Sequence, residues 1–210
     1  MTRIVAGSVG GRTIAVPAKG TRPTSDRVRE AIFSRLEHFD VLDGARVLDL
    51  YAGSGALGLE AASRGAASVT LVDSARGAAD VARRNVTTLG LTGVRVVTDS
   101  AERYAGSLVP DGARVARVDH AGPEKVHPGE PPASGSLDLV FLDPPYDLAE
   151  TELTAVLAHL AAPGVLAPGA VVVVERSTRS PEPAWPAGLG PFARKDYGET
   201  AVHYAEPASV

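Results

Sequence analysis

Two stretches of the chain hold residue types and spacings that can do chemistry. The first is Asp49-Leu50-Tyr51-Ala52-Gly53-Ser54-Gly55-Ala56-Leu57-Gly58, which contains G-x-G-x-x-G, with Asp73 twenty residues after Gly53. Glycines in this pattern allow a tight turn, let backbone N–H groups approach a ligand and open a helix, while an acid at that distance suits ribose hydroxyls. Taken alone, the turn also fits a purely structural strand-to-helix connection. Asp49 narrows the choice. It ends an apolar strand four residues before Gly53, where a carboxylate would repel a pyrophosphate and attract an ammonium or sulfonium group. S-adenosylmethionine offers a positive methionyl amine, a ribose diol and an adenine. Asp49 suits the amine, the backbone of Ala52, Gly53, Ser54 and Gly55 the body of the ligand, and Asp73 the ribose. Asp99-Ser100, at the end of a later strand, lies on the same sheet edge, where Asp99 can accept from the adenine amino group. Asp99 fits equally well as the N-cap of a helix from Glu102 onward.

The second stretch is Asp143-Pro144-Pro145-Tyr146, directly after the apolar run Leu137–Leu142. An exocyclic amine on a purine is a poor nucleophile because its lone pair is delocalised into the ring. Acceptors on its hydrogens favour the pyramidal nitrogen that attacks a methyl group. The Asp143 carboxylate and the Pro144 carbonyl can supply them. Pro144 and Pro145 fix φ and remove N–H donors, stiffening the turn, and Tyr146 offers a flat face on which a base can stack. The leaving group would be a neutral thioether, so no metal is needed. Without the first stretch, Asp-Pro-Pro-Tyr reads as no more than a rigid turn after a buried strand.

Strands and helices must bring these stretches together. Val47–Leu50, Val69–Asp73, Val94–Thr98, Leu137–Leu142 and Ala170–Glu175 read as strands; Leu57–Arg64, Arg76–Leu89 and Thr151–Leu160 read as helices. Their alternation predicts a parallel sheet covered on both faces. Ligands in such sheets sit beyond the carboxyl ends of the strands, at the point where strand order reverses. The strand that ends in Asp143 is expected beside the strand that ends in Asp49. Phe192–Tyr197 and Ala201–Ala205 around Gly198-Glu199-Thr200 predict a closing antiparallel hairpin. Before the sheet, Arg3–Ala6 and Arg12–Val16 predict a small hairpin around Gly7–Gly11, then a linker, Pro17–Pro23, then a helix. Thr24, Ser25 or Asp26 can cap that helix, and Val28, Ile32, Leu36 and Phe39 recur along one face. The expected organisation is an N-terminal extension, 1–40, and a catalytic domain, 41–210. Residues 106–136, with five glycines and five prolines in 31 positions, read as a poorly ordered insertion.

Composition excludes several classes. The 210 residues suit one domain with a small appendage. Apolar content of 44% excludes wholesale disorder. The absence of cysteine excludes disulfides, thiolate metal sites and cysteine nucleophiles. The five histidines lack ligand spacing, so no metal is expected. Apolar runs such as Ala170–Val174 are far too short to span a bilayer, so no membrane partner is expected and a cytoplasmic monomer is the default. The net charge of −4 conceals an asymmetry: residues 1–30 hold six basic groups against two acidic, the remainder fifteen against twenty-three. A basic arm on an acidic body suits local contact with a polyanion, although terminal arginines also simply aid solubility.

The two stretches resemble motif I of class I S-adenosylmethionine methyltransferases and the N/D-P-P-Y/F motif of amino-group methyltransferases. The N-terminal segments Arg3-Ile4-Val5-Ala6-Gly7, Gly11-Arg12 and Thr21-Arg22-Pro23-Thr24-Ser25-Asp26-Arg27-Val28-Arg29-Glu30-Ala31-Ile32-Phe33 resemble the start of the RsmD family, whose members are small-subunit rRNA guanine-N2 methyltransferases. The likeness runs from residue 3 to about 105 and from Leu137 to about 205; residues 106–136 depart from it. It implies a Rossmann-like α/β fold: a seven-stranded, mostly parallel sheet with a C-terminal antiparallel hairpin. It also implies a 16S rRNA substrate on an assembling small subunit. Asp143, Pro144, Pro145 and Tyr146 would hold the target base. Asp49, Ala52, Gly53, Ser54, Gly55, Asp73, Asp99 and Ser100 would hold S-adenosylmethionine and then S-adenosylhomocysteine. Arg3, Arg12, Lys19, Arg22, Thr24, Arg27 and Arg29 would contact RNA. Three alternatives stay open: an adenine-N6 methyltransferase acting on DNA or RNA, a nicotinamide-dependent oxidoreductase, and a non-catalytic RNA-binding assembly factor.

Overall fold

The computed structural model describes residues 2–17, 25–110 and 136–208. β1 (Thr2–Arg3) and β2 (Thr13–Ile14) form the expected antiparallel hairpin, with Thr2 opposite Ile14. It is shorter than the sequence suggested, because the N–H groups of Val5 and Ala6 leave the ladder and donate to the Glu60 carboxylate at 2.6 and 3.0 Å. α1 (Asp26–His38) follows; of its three possible caps the structure uses Ser25, whose hydroxyl accepts from Val28 N–H at 3.3 Å.

The main sheet comprises β3 (Arg46–Leu50), β4 (Ser68–Asp73), β5 (Val94–Thr98), β6 (Leu137–Leu142), β7 (Leu166–Ser177), β8 (Leu189–Tyr197) and β9 (Thr200–Pro207). Its order is β5-β4-β3-β6-β7-β9-β8. Pairings are parallel from β5 through to β7, and antiparallel where β9 joins β7 and β8. The chain leaves β3 toward β5, then returns to place β6 on the other flank of β3, so strand order reverses between these two. At the opposite strand ends, Arg46 locks their register: its backbone N–H and guanidinium both donate to the Asp138 carboxylate, at 2.8 to 3.1 Å.

Side chains alternate across the sheet. Val47, Leu71, Leu139, Phe141, Val171 and Val173 enter a core under α1, α2 (Ala56–Ser63) and α3 (Arg76–Leu89). Leu48, Leu50, Val72, Val140, Leu142, Val172 and Val174 enter a second core under α4 (Ala101–Ser107) and α5 (Glu150–Leu160). Burial on both faces explains why these strands read as continuous apolar runs. The N-terminal extension shares the first core through Ile4, Ile14, Val28, Ile32, Phe33 and Leu36.

Three sequence expectations shift. α4 carries Gly106 and Ser107 inside a helix, so the segment 106–136 is regular at its start; residues 111–135 lie outside the described residues. β7 begins four residues before Ala170, because Pro168-Gly169 is absorbed as an irregularity of register rather than ending the strand. Arg29 is not an RNA-facing residue. It is fully buried, and its guanidinium donates to the Arg3 carbonyl and to Asp26, beside the equally buried Glu60. Arg64 also bonds Glu60, at 2.7 Å, so α1, α2 and the hairpin meet on one buried carboxylate.

Candidate active site

A cavity of about 700 Å³ opens beyond the carboxyl ends of β3, β4 and β6. Its wall includes Asp49 of β3 and Tyr51, Gly53 and Ser54 of the turn that follows, Asp73 at the end of β4 and Ala75 after it, Ser100 before α4, and Asp143–Asp147 after β6. Leu50 pairs with Leu142, which sets Asp143 level with Tyr51 just past the strand ends. The two stretches are thus brought together by the register of two neighbouring strands.

Asp49 is 1% exposed. It lies on the α2 side of the sheet, where one carboxylate oxygen accepts the Gly58 N–H at 2.9 Å. Burial is the largest influence on its proton affinity and, with the nearby carboxylates of Asp143 and Asp73, pushes its pKa up to about 8 against the lowering effect of that hydrogen bond. A buried carboxylate of this kind favours a cationic partner. Gly58 makes the close contact possible: a Cβ there would lie 2.3 Å from Leu71 Cδ2 and 3.2 Å from Asp49.

The turn between them is strained. Tyr51 adopts φ of 63°, unusual for an aromatic residue, before Gly53 and Gly55 at 56° and 81°. Asp73 orders the turn by accepting Gly53 N–H at 2.8 Å through one oxygen and Ala75 N–H at 2.8 Å through the other. A carboxylate has about four acceptor positions, so two remain for ligand hydroxyls. Ser100 lines the cavity and caps α4, its hydroxyl accepting from Arg103 N–H at 3.2 Å. Asp99, in contrast, is not in the cavity wall; it faces Arg103 at 3.3 Å and accepts from Ser100 N–H. The cap expected of Asp99 falls to its neighbour.

The second stretch is held from outside. Pro145 accepts from Leu148 N–H at 3.0 Å, closing a tight turn. The buried Arg176 of β7 donates to the Leu148 carbonyl at 3.4 Å and forms an ion pair with Glu150, at the start of α5. Tyr146 lines the cavity and is 52% exposed. Tyr51 also lines the cavity, a place the sequence reading does not assign it, and burial pushes its phenol up to about 12, so it stays protonated. The same holds for Val16 and Pro17, which bring the N-terminal extension into the cavity wall, and for Glu102 and Glu152. Position within the first stretch could have flagged Tyr51; nothing local in the sequence flags Val16 or Pro17.

The basic arm divides. Arg3 is largely exposed beside Asp26 at 3.2 Å. Arg12 is exposed, with its guanidinium on the carbonyls of Thr88 and Leu89 at the carboxyl end of α3. Arg27 is exposed. Lys19, Arg22 and Thr24 lie outside the described residues. Among the described residues no cluster of three or more histidines and acids is placed to hold a metal, and no helix is long and apolar enough to cross a membrane.

A mostly parallel seven-stranded sheet with a closing antiparallel hairpin, and a cavity where Asp49 and Asp143 meet at its topological switch point, defines a class I methyltransferase fold. Relatives narrow this. The chain is 34% identical over 200 residues to ribosomal RNA small subunit methyltransferase D of Escherichia coli (strain K12), covering 95% of this chain and 86% of that one. It is also 34% identical over 202 residues to the putative rRNA methyltransferase YlbH of Bacillus subtilis (strain 168), covering 95% and 96%. The solved structure of putative methyltransferase yhhF from Escherichia coli superimposes with a TM-score of 0.74 at 32% identity, over 98% of this chain and 97% of that one. The family model described as "Conserved hypothetical protein 95" matches residues 2–123 and 112–206, and the chain belongs to that family, the RsmD family.

Proposed function

We propose that this protein transfers a methyl group from S-adenosylmethionine to the exocyclic N2 of a guanine in small-subunit (16S) rRNA, presented on an assembling particle. The observation that carries the proposal is the convergence of Asp49 and Asp143 on one cavity from the adjacent ends of β3 and β6. A buried carboxylate, a glycine turn with positive φ, and a two-acceptor Asp73 fit a ligand that bears an amine and a diol. When bound, that ligand supplies an electrophilic methyl on sulfur.

Asp49 offers the amine a charged partner shielded from water. Asp73 accepts from the hydroxyls, and Ser100 also lines the cavity. Asp143 and the Pro144 carbonyl accept from the two hydrogens of the guanine amine, which localises its lone pair; as the carbon–nitrogen bond forms and the carbon–sulfur bond breaks, the nitrogen sheds one proton to Asp143 or water. Tyr146 stacks on the base, which must be unpaired to reach it. The gain comes from orientation and preorganised charge. Asp99 stands just outside the wall that Ser100 lines.

Residues 1–40 serve as the RNA-binding extension of a catalytic domain, 41–210, in a monomer. Arg3, Arg12 and Arg27 are the described residues available to RNA phosphates, joined by Lys19, Arg22 and Thr24; Arg29 is not. The testing experiment is mass spectrometry of nucleosides from rRNA of strains with and without the gene. The expected result is loss of one N2-methylguanine from 16S rRNA and its return with the wild-type gene but not with Asp143→Ala. An unchanged guanine and a missing N6-methyladenine would overturn the substrate assignment.

A further inference from the structure

Asn85 sits in the C-terminal half of α3 on its buried stripe, with Ala78, Val81, Ala82 and Leu89, and is 3% exposed. Asparagine is a poor helix former and costly to bury unless every polar atom is satisfied. Here each is. Its Oδ1 accepts the Ala15 N–H at 2.9 Å, and its Nδ2 donates to the Ala15 carbonyl and to the Ser54 carbonyl, both at 2.9 Å. One amide thereby pairs with Ala15 as a neighbouring strand would, and also grips the glycine turn. Both of its partners adjoin the cavity: Ser54 lines it, and Ala15 is followed by Val16 and Pro17, which line it too.

We infer that Asn85 is a positioning residue that makes the N-terminal extension a wall of the methyl-donor site, by tying Val16-Pro17 and the Gly53–Gly55 turn to one rigid helix. The inference rests on the methyl-donor assignment above. It gives an otherwise remote segment a direct share in ligand affinity, carried by two hydrogen-bonded strips of backbone that touch no reacting atom.

Two substitutions test it from opposite sides. Asn85→Asp keeps the acceptor for Ala15 N–H but removes both donors; Ala15→Pro removes the Ala15 N–H, sets a ring carbon against Asn85 Oδ1 and restricts the backbone at Ile14, while leaving the sequence of α3 unaltered. Titration calorimetry with S-adenosylhomocysteine should show binding weakened about tenfold in Asn85→Asp and severalfold in Ala15→Pro, on the scale of one or two lost hydrogen bonds. Melting curves give the readout that a merely structural role would not move. If Asn85 only stabilises the fold, the rise in Tm on adding S-adenosylhomocysteine stays the same as in the wild type; if it positions the site, that rise shrinks in both variants. An Asn85→Asp chain that fails to fold leaves Ala15→Pro to decide by the same two measurements. Wild-type affinity and an undiminished ligand-induced rise in Tm would overturn the inference. Failure of the wild-type protein itself to bind S-adenosylhomocysteine would instead overturn the methyl-donor assignment.

Discussion

Asp49→Asn should make the protein more stable and its ligand binding weaker. The carboxylate is 1% exposed, and burial raises its pKa from 3.8 to about 8. At pH 7 the unfolded chain carries it ionised, so folding must either protonate it or bury a charge. At 1.36 kcal/mol per pKa unit the cost relative to a neutral isostere is about 4 kcal/mol. The sign follows from the direction: the contribution is fully favourable below the unfolded value and is lost as pH rises through the folded one. Asparagine carries no charge in either state, and its Oδ1 can retain the Gly58 N–H seen at 2.9 Å. Its amide N–H groups need partners, which offsets about 1–2 kcal/mol. A net gain of about 2 kcal/mol at pH 7 corresponds to a rise in Tm of about 4–8 °C for a chain of this size. The gain should vanish near pH 5 and turn into a small loss near pH 4, where the carboxyl is protonated in both states and only the amide's unmet N–H groups remain.

Ligand binding should move the other way. An ammonium enters beside Asp49 only when the carboxylate is ionised, and α-amines titrate near 8 themselves. Wild-type affinity for S-adenosylhomocysteine should therefore rise from pH 6 to a maximum near 8 and fall beyond it. Without the carboxylate the rising limb disappears, and affinity at pH 8 drops on the order of a hundredfold, as when one partner of a buried charge pair is removed. Calorimetric titration across pH 6–9 and melting curves at pH 4 and 7 measure both effects. A variant that melts below the wild type at pH 7, or that keeps the wild-type pH profile of binding, would refute the reasoning.

Asp143→Ala should leave S-adenosylhomocysteine affinity within about threefold while single-turnover methyl transfer falls by about 10²–10³-fold, the scale of losing one preorganised polar contact in the transition state. Gly58→Ala should cost about 2–3 kcal/mol in urea unfolding, because its Cβ would sit 2.3 Å from Leu71 and must displace packed side chains; a cost below 0.5 kcal/mol would show that the Leu71 contact yields freely. Arg29→Ala should destabilise by about 2–4 kcal/mol, because it empties a fully buried site and takes the donor from the Arg3 carbonyl while Glu60 keeps Arg64 and the Val5 and Ala6 N–H groups, whereas Arg3→Ala with Arg27→Ala should leave Tm unchanged. The same double variant should reduce the salt slope of RNA binding by about 2; an unaltered slope would remove both residues from the RNA contact.

What the sequence discloses about this molecule depends on whether a signal is local. The central strands β6 and β7 are legible because both of their faces are covered and each carries a continuous apolar run, Leu139–Leu142 and Ala170–Val174. The meeting of Asp49 and Asp143 is legible because parallel order puts all ligand-facing ends on one edge, so two motifs at strand ends need only adjacent strands to converge. Where the partner is distant in the chain, the same arithmetic fails. Arg29 counts as one more positive charge in a basic arm, yet with Ile32, Phe33 and Leu36 it completes an i, i+3, i+4, i+7 stripe facing the core. That stripe tolerates a guanidinium because the Arg3 carbonyl and Asp26 accept from it and Glu60, thirty-one residues on, is buried beside it on α2. Gly106 looks like the start of a loop, but within α4 it lies close against His159 of α5, where a Cβ would sit 3.4 Å from the imidazole. Asn85 reads as an indifferent polar residue in a helix until Ala15 and Ser54, seventy and thirty-one residues away, supply the groups it bonds. The motifs locate the chemistry; the polar contacts between distant segments decide how firmly the cavity around it is held.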